Sequence, residues 1–166
     1  NQDAVVSVHQ NVRLSYKQLQ VQVNAFACSL LQLGLEKGDR IAIWSPNCVE
    51  WTITQFAAFK AGIILVNLNP AYKSSELEYV LNKVSCKALV IASQFKSSNY
   101  QEILTKIAPE ITQSTSKLVS AKRLPHLKHI IKIDNEAHAG IHRFADLLPE
   151  PTPLQLDQLQ AIAADL

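Results

Sequence analysis

Apolar positions along this chain follow two rhythms that alternate. Leu19, Val23, Phe26, Leu30 and Leu33 stand three and four residues apart, the spacing that gathers side chains on one face of an α-helix. Ser15-x-x-Gln18 precedes them with the spacing of a capping box, in which the Ser oxygen takes the third helical N–H and the Gln side chain returns to the cap's own N–H. Gly34 follows, a residue that tolerates the left-handed conformation at which helices stop. The pattern predicts a helix over 16–33. Upstream, residues 5–8 and 12–14 flank the turn formers Gln10 and Asn11 and read as a short hairpin.

The second rhythm is the unbroken apolar run. Residues 41–44, 63–68, 88–92 and 130–133 are such runs, expected of strands covered on both faces. Helical segments lie between them. Asn47-x-x-Glu50 is a start signature for a helix reaching Ala61, with Val49, Ile53, Phe56 and Ala57 as its buried stripe and Gly62 past its end. Ser74 and Ser75 open a helix striped by Leu77, Leu81 and Val84, and Ser98 opens another through Tyr100, Leu104 and Ile107. Strand and helix alternating in this way predict an α/β fold, a largely parallel sheet with helices on its faces. Residues 112–117 and 138–142 read as loops. Residues 1–148 form one domain portion; Pro149, Pro151 and Pro153 read as a linker. Beyond it, helical spacing at Leu159, Ile162, Ala163 and Leu166 begins a helix that lacks a final capping residue.

Charge narrows the function classes. The net charge is +2, from 16 basic and 14 acidic residues spread along the 166, so a nucleic-acid or anionic-membrane footprint is not implied. No apolar run reaches the ~20 residues of a transmembrane helix. The cysteines Cys28, Cys48 and Cys86 are odd in number and lack C-x-x-C spacing, which argues against a disulfide framework or a zinc knuckle. Cys28, among apolar helical residues, reads as a small buried hydrophobe. The chain starts at Asn1 and has no Met, so we expect a processed or partial chain with any targeting peptide upstream.

Chemistry-bearing motifs are sparse. Four glycines, at 34, 38, 62 and 140, make no dinucleotide fingerprint and no P-loop, so no glycine nest is offered to a pyrophosphate. His126-x-x-His129 and His138-x-x-x-His142 lack a Glu or Cys partner at zinc spacing and read as surface histidines. No G-x-S-x-G elbow is present. Trp44, Trp51, Phe56 and Phe59 cluster in sequence, either as core or as the lining of an apolar channel. The catalytic, cofactor-binding and metal-binding sets are therefore empty.

Several ordered stretches resemble one family. Leu14-Ser15-Tyr16-Lys17-Gln18-Leu19 is similar to the first core motif of adenylate-forming (AMP-binding) enzymes, L-[TS]-Y-x-E-L, with Gln18 where Glu is usual. Lys60-Ala61-Gly62 through Val66-Asn67-Leu68-Asn69-Pro70 resembles the second, K-A-G-x-x-x-V-P-x-[DN]-P, with Asn67 in place of Pro. Tyr72, Glu76-Leu77 and Tyr79-x-Leu81 also fit, as do Lys37-Gly38-Asp39-Arg40 and Ser45-Pro46-Asn47 between the two motifs. The match runs in order over residues 1 to about 133, and its details resemble the medium-chain acyl-CoA synthetases.

The resemblance implies part of the large N-terminal domain of an enzyme that activates a fatty acid with ATP, forms acyl-AMP, and passes the acyl group to CoA. It implies ATP, Mg²⁺ and CoA for the full-length family, a fatty acid as substrate, and the mitochondrial matrix as location. In the family, the Ser/Thr/Gly-rich phosphate loop, the Mg²⁺-binding Glu, the ribose-binding Asp and the catalytic Lys all lie downstream of the positions matched here. None of those cofactors is therefore expected to bind this chain alone. Leu14, Ser15, Tyr16, Leu19, Gly38, Asp39, Gly62, Asn69, Pro70, Tyr72, Glu76 and Leu77 are expected to be architectural, with Asn69-Pro70 as the loop nearest to a functional role. A second reading is an interaction module whose exposed sheet edge pairs with another chain, self-association included. A third, an unrelated nucleotide-binding domain, would need the missing phosphate loop.

Overall fold

Ser15 does what its spacing with Gln18 predicts. Its Oγ accepts the Gln18 N–H at 3.3 Å, and Gln18 Oε1 accepts the Ser15 N–H at 2.8 Å, so two orphan donors are satisfied at the start of a helix. The computed structural model of the chain describes residues 2–113, 116–134, 136 and 139–166. Ser114 and Thr115 of the expected polar loop, and His138 of the second histidine pair, lie outside the described residues. The chain divides into two units, each described by itself.

The first unit holds residues up to Gly38, Asn47–Ile64 and Leu147–Leu166. β1 (Asp3–Ser7) and β2 (Val12–Ser15) pair antiparallel with Val6 opposite Arg13, and Asn11 turns at φ 52°, where Asn is tolerated. α1 (Tyr16–Gln32) follows, buried almost all round from Ala25 to Leu30. It packs on α2 (Val49–Lys60) and on α6 (Pro153–Ala164), with Phe26, Leu30, Ile53, Ala57 and Leu159 inaccessible to solvent or nearly so. Leu33 is the half-buried cap residue after α1 and not part of its stripe.

Two expectations about α2 are corrected. Its cap position is Cys48, which makes no side-chain capping bond; Gln10 Oε1, at the hairpin turn, instead accepts the Val49 N–H at 2.8 Å. The orphan donor of the first turn is thus met by a residue 39 positions away, which local spacing cannot show. Phe56 is 48% exposed, because the stripe turns toward Thr54, Ala57 and Ala58, all fully buried. α6 begins with a second capping box, Thr152 with Gln155, and Pro153 at its first position.

The second unit holds Asp39–Pro46 and Leu65–Asp146. Its sheet runs in the order β4 (Ile64–Asn67), β3 (Arg40–Trp44), β5 (Ala88–Ile91), β8 (His129–Lys132), β9 (His142–Arg143). The pairs β3/β5, β5/β8 and β8/β9 are parallel, with Ile43 opposite Val90 and Val90 opposite Ile131. All four strands expected from apolar runs are present, and the α/β class holds. Between them come α3 (Ser74–Lys83), the hairpin β6 (Gln94–Phe95) and β7 (Ser98–Asn99), α4 (Tyr100–Ile107) and the single turn α5 (Glu110–Gln113). Leu77, Leu81, Tyr100, Leu104 and Ile107 pack on Ala42, Trp44, Leu89, Ile91 and Ile130. The alternate residues Ile41, Ile43, Ala88, Val90 and Ile131 are equally inaccessible, which is why these strands read as continuous runs.

The helix expected from Ser98 starts one residue later, since Asn99 is the cap and its side chain accepts the Glu102 N–H. His142 lies in β9 and not in a loop. His129 and His142 are 6% and 7% exposed, so neither is the surface histidine expected from the sequence; both sit in the sheet as partners of each other.

Candidate functional site

In sheets of this kind ligands gather beyond the carboxyl ends of the strands, and in the second unit that rim is built around residues 69–72. Leu68 N–H donates to the Ile43 carbonyl at 3.0 Å, and the chain then reverses. Asn69 Oδ1 accepts the Ala71 N–H at 2.9 Å, while its carbonyl accepts the Tyr72 N–H at 3.0 Å, an Asx turn. Trp44, the last residue of β3, donates Nε1–H to the Asn69 carbonyl at 3.1 Å. Tyr100, the first residue of α4, donates its hydroxyl to the Pro70 carbonyl at 2.8 Å. The two rings stack with centroids 3.7 Å apart and planes 12° from parallel, and both are buried. Burial pushes the Tyr100 phenol up to about 12, so it remains a donor throughout the physiological range.

The neighbouring motif residues continue the same construction. Tyr72 lies partly buried against the core, Glu76 accepts the Lys73 N–H at 2.9 Å at the mouth of α3, and Leu77 is fully buried. Lys73 Nζ donates to Ser98 Oγ at 2.5 Å, tying the β6–β7 hairpin to this rim. Asn69, Pro70, Tyr72, Glu76 and Leu77 are thus brought together as one loop and helix entry, with Asn69 Oδ1 and the Glu76 carboxylate accepting backbone N–H groups.

Beside them stands a polar cluster that the sequence did not announce. Lys132, at the end of β8 with a side chain 6% exposed, lies 2.8 Å from Asp134 Oδ2. Ser93 Oγ donates to the same carboxylate at 2.7 Å, and Lys132 Nζ reaches Gln101 Oε1 at 3.0 Å. Burial opposes the Asp134 charge, but the bonds from Lys132 and Ser93 together with the Lys132 charge outweigh it and hold the carboxyl below its ordinary range. The only sequence signal was a Lys inside an apolar run with an Asp two places on. Among the described residues no three His, Cys, Asp or Glu side chains gather as a metal site.

The remaining motif positions fall in other places. In the first unit Leu14 is buried at the end of the hairpin, Ser15 caps α1, Tyr16 is exposed and Leu19 is half-buried. Gly38 N–H donates to the Gly62 carbonyl at 2.8 Å, so the two motif glycines meet. Gly62 has φ +68°, and a Cβ there would lie 3.0 Å from Lys37 Cγ and 3.2 Å from Leu166 Cδ2; the left-handed backbone disfavours a side chain, and these neighbours would have to shift to admit one. In the second unit Asp39 pairs with Lys87 at 2.7 Å and Arg40 Nε donates to the Val84 carbonyl at 2.6 Å, anchoring the start of β3. The aromatic cluster divides: Trp44 is core, Trp51 is half-buried, and Phe56 and Phe59 line an open groove of about 770 Å³ with Tyr16, Leu19, Val23 and Leu166.

A motif set held in this order on an α/β sheet matches a known class over nearly its whole length. Residues 1–162 match the family model described as AMP-binding enzyme, and the chain belongs to that family. It is 46% identical over 134 residues to the mitochondrial medium-chain acyl-CoA ligase ACSF2 of Rattus norvegicus, covering 81% of this chain and 22% of that protein. Over all 166 residues it is 36% identical to ACSF2 of Danio rerio, covering 27% of that protein. Among solved structures it superposes on the anthranilate CoA ligase AuaEII in complex with anthranoyl-AMP, with a TM-score of 0.72 and 25% identity over 91% of this chain and 26% of that one. The chain spans about a quarter of the length of these relatives.

Proposed function

We propose that this chain is the amino-terminal part of a fatty-acid:CoA ligase, and that its part in the reaction is architectural. The full polypeptide would activate a medium-chain fatty acid with ATP, giving acyl-AMP and pyrophosphate, after which the CoA thiol displaces AMP. The observation that carries this reading is the family match over residues 1–162, with relatives described as mitochondrial medium-chain acyl-CoA ligases. The same relatives, described as mitochondrial, support a mitochondrial location, which we extend to the matrix as part of the proposal.

The motif residues point to support of a site built elsewhere in the polypeptide. Asn69 Oδ1, the Pro70 carbonyl and a Glu76 carboxylate oxygen accept bonds that shape the turn and the helix entry, and Gly38 and Gly62 share a backbone contact. ATP, Mg²⁺ and CoA would be held by residues outside this sequence, with a loop of the form S-G-T-T-G-x-P-K-G for the ATP phosphates and a Glu for Mg²⁺. Transition-state stabilisation by such donors is worth ~10²-fold or more in rate for each one. The test is fatty-acid-dependent exchange of labelled pyrophosphate into ATP, with the 166-residue chain beside a polypeptide carrying the complete reading frame. We expect exchange only from the longer protein; exchange by this chain alone, or a reading frame without that loop, would overturn the proposal.

A second reading, association through an exposed edge, has its own support. β4 is an outer strand of the sheet, and Ile64 on it is 53% exposed. Sedimentation of the chain over a range of concentrations tests it, with a concentration-dependent dimer expected and a monomer at all concentrations counting against it.

A further inference from the structure

β9 is two residues long and bonded to β8 through only two register pairs, Ile131 with His142 and Lys132 with Arg143, too few to hold an outer strand by backbone bonding alone. Across this junction His129 Nδ1 and His142 Nε2 stand 3.3 Å apart, with ring centroids separated by 5.4 Å and planes inclined at 56°. That is hydrogen-bond distance and geometry, and both rings are buried. One imidazole must donate and the other accept, so the bond survives with no more than one of the two rings protonated.

We propose that the His129–His142 pair is an acid-sensitive latch that holds β9, and the 3₁₀ turn Phe144–Leu147 that follows it, in place beside β8. The backbone of Lys117 is hydrogen-bonded to His142 and favours its charged form. A main-chain carbonyl that does so accepts from the ring, which commits one ring N–H and leaves Nε2 of the neutral form as an acceptor. His129 then donates Nδ1–H to it. Once His129 carries a charge, a second proton on His142 Nε2 faces a donor, inside the protein, and the latch opens.

The surroundings act in the same sense. Burial is the largest influence lowering the affinity of His142 for a proton, followed by the charges of His129 and Lys117, while Asp146 opposes them; the balance lies at about 4. Arg143 beside it is engaged with Asp146, at 2.6 Å. On β8, Lys132 is paired with Asp134, and next to β5, Lys87 is paired with Asp39. The described carboxylates Asp39, Asp134 and Asp146 are each engaged with a Lys or Arg, so a second imidazolium competes with those cations for them. The sign follows: a histidine with a depressed value is neutral in the fold and charged when unfolded between about 4 and 6.5, so the unfolded segment takes up more protons there and local stability falls as pH falls through that window.

Hydrogen exchange followed by mass spectrometry on the full 166-residue chain tests this. Protection factors for residues 141–147, corrected for intrinsic rates, should fall about tenfold or more between pH 6.5 and 4, while those of Ala88–Ile91 hold. In His142→Gln, which keeps a donor and an acceptor without titrating, the fall should vanish. In Asp146→Asn it should persist. Ring ¹⁵N shifts of the unmodified protein give an independent reading should the variants fold poorly: one of the two imidazoles should stay neutral to below pH 5. Constant protection of 141–147 down to pH 4, an unchanged fall in His142→Gln, or both rings titrating near 6.5 would overturn the latch.

Discussion

Trp44 and Phe56 are large aromatic residues that meet opposite fates. Trp44, in the second unit, closes an unbroken apolar run, is inaccessible to solvent, stacks on Tyr100 and spends its N–H on Asn69. Phe56, in the first unit, belongs to a helical stripe yet is half exposed on an open groove. The difference teaches what each sequence pattern carries. A continuous run on a strand requires cover on both faces, whereas helical spacing states only that apolar residues share a side and leaves the width of the covered face open.

The contrast can be broken most sharply by truncation. Trp44→Ala should destabilise the protein by about 4 kcal/mol, from lost burial, lost stacking and one lost hydrogen bond to the Asn69 carbonyl, while Phe56→Ala should change it by less than about 1 kcal/mol. Urea unfolding of both variants checks this, and equal effects would erase the distinction.

Asp134→Ala comes next, at about 3 kcal/mol, because it leaves the Lys132 ammonium buried without its carboxylate. The pH dependence sharpens it. Asp134 is held below its ordinary value, so its contribution is present above the unfolded value near 4 and is lost as pH falls through the folded one. Asp134→Asn should flatten the acid side of the stability profile; an unchanged profile would count against the pair.

Smaller again is Gly62→Val, expected to destabilise by about 1–2 kcal/mol, since a β-branched residue resists φ +68° and the added carbons meet Lys37 and Leu166. An unmoved denaturation midpoint would show that the chain relaxes around the site.

These positions also show how far the sequence could be read. The capping box at Ser15, the stop at Gly62 and the four apolar strands are local patterns, written within a few residues, and each was legible. β9 was not, because His142-Arg143 is polar and short and becomes a strand only through its pairing with Ile131 and Lys132. The bond from Gln10 to Val49 and the cluster of Ser93, Gln101, Lys132 and Asp134 join residues tens of positions apart, and no spacing rule reaches them. The burial of His129 and His142 was missed for the same reason: each ring's partner lies on another strand. For the candidate site, the loop from Asn69 to Tyr72 was legible as a motif, but its anchoring by Trp44 and Tyr100 was visible only in the fold.

The central claim is that the family motifs in this chain set geometry and carry no chemistry, and Asn69 is where it is most exposed to test. Asn69→Ala, in a polypeptide that carries the complete reading frame, removes the acceptor of the Ala71 N–H together with the exposed carboxamide NH₂. Measured together, urea unfolding and kcat for pyrophosphate exchange should show a loss of about 1 kcal/mol in stability and a kcat within about twofold of the parent below the unfolding range. A kcat reduced by about tenfold or more with stability unchanged would place Asn69 in the chemistry and contradict the account.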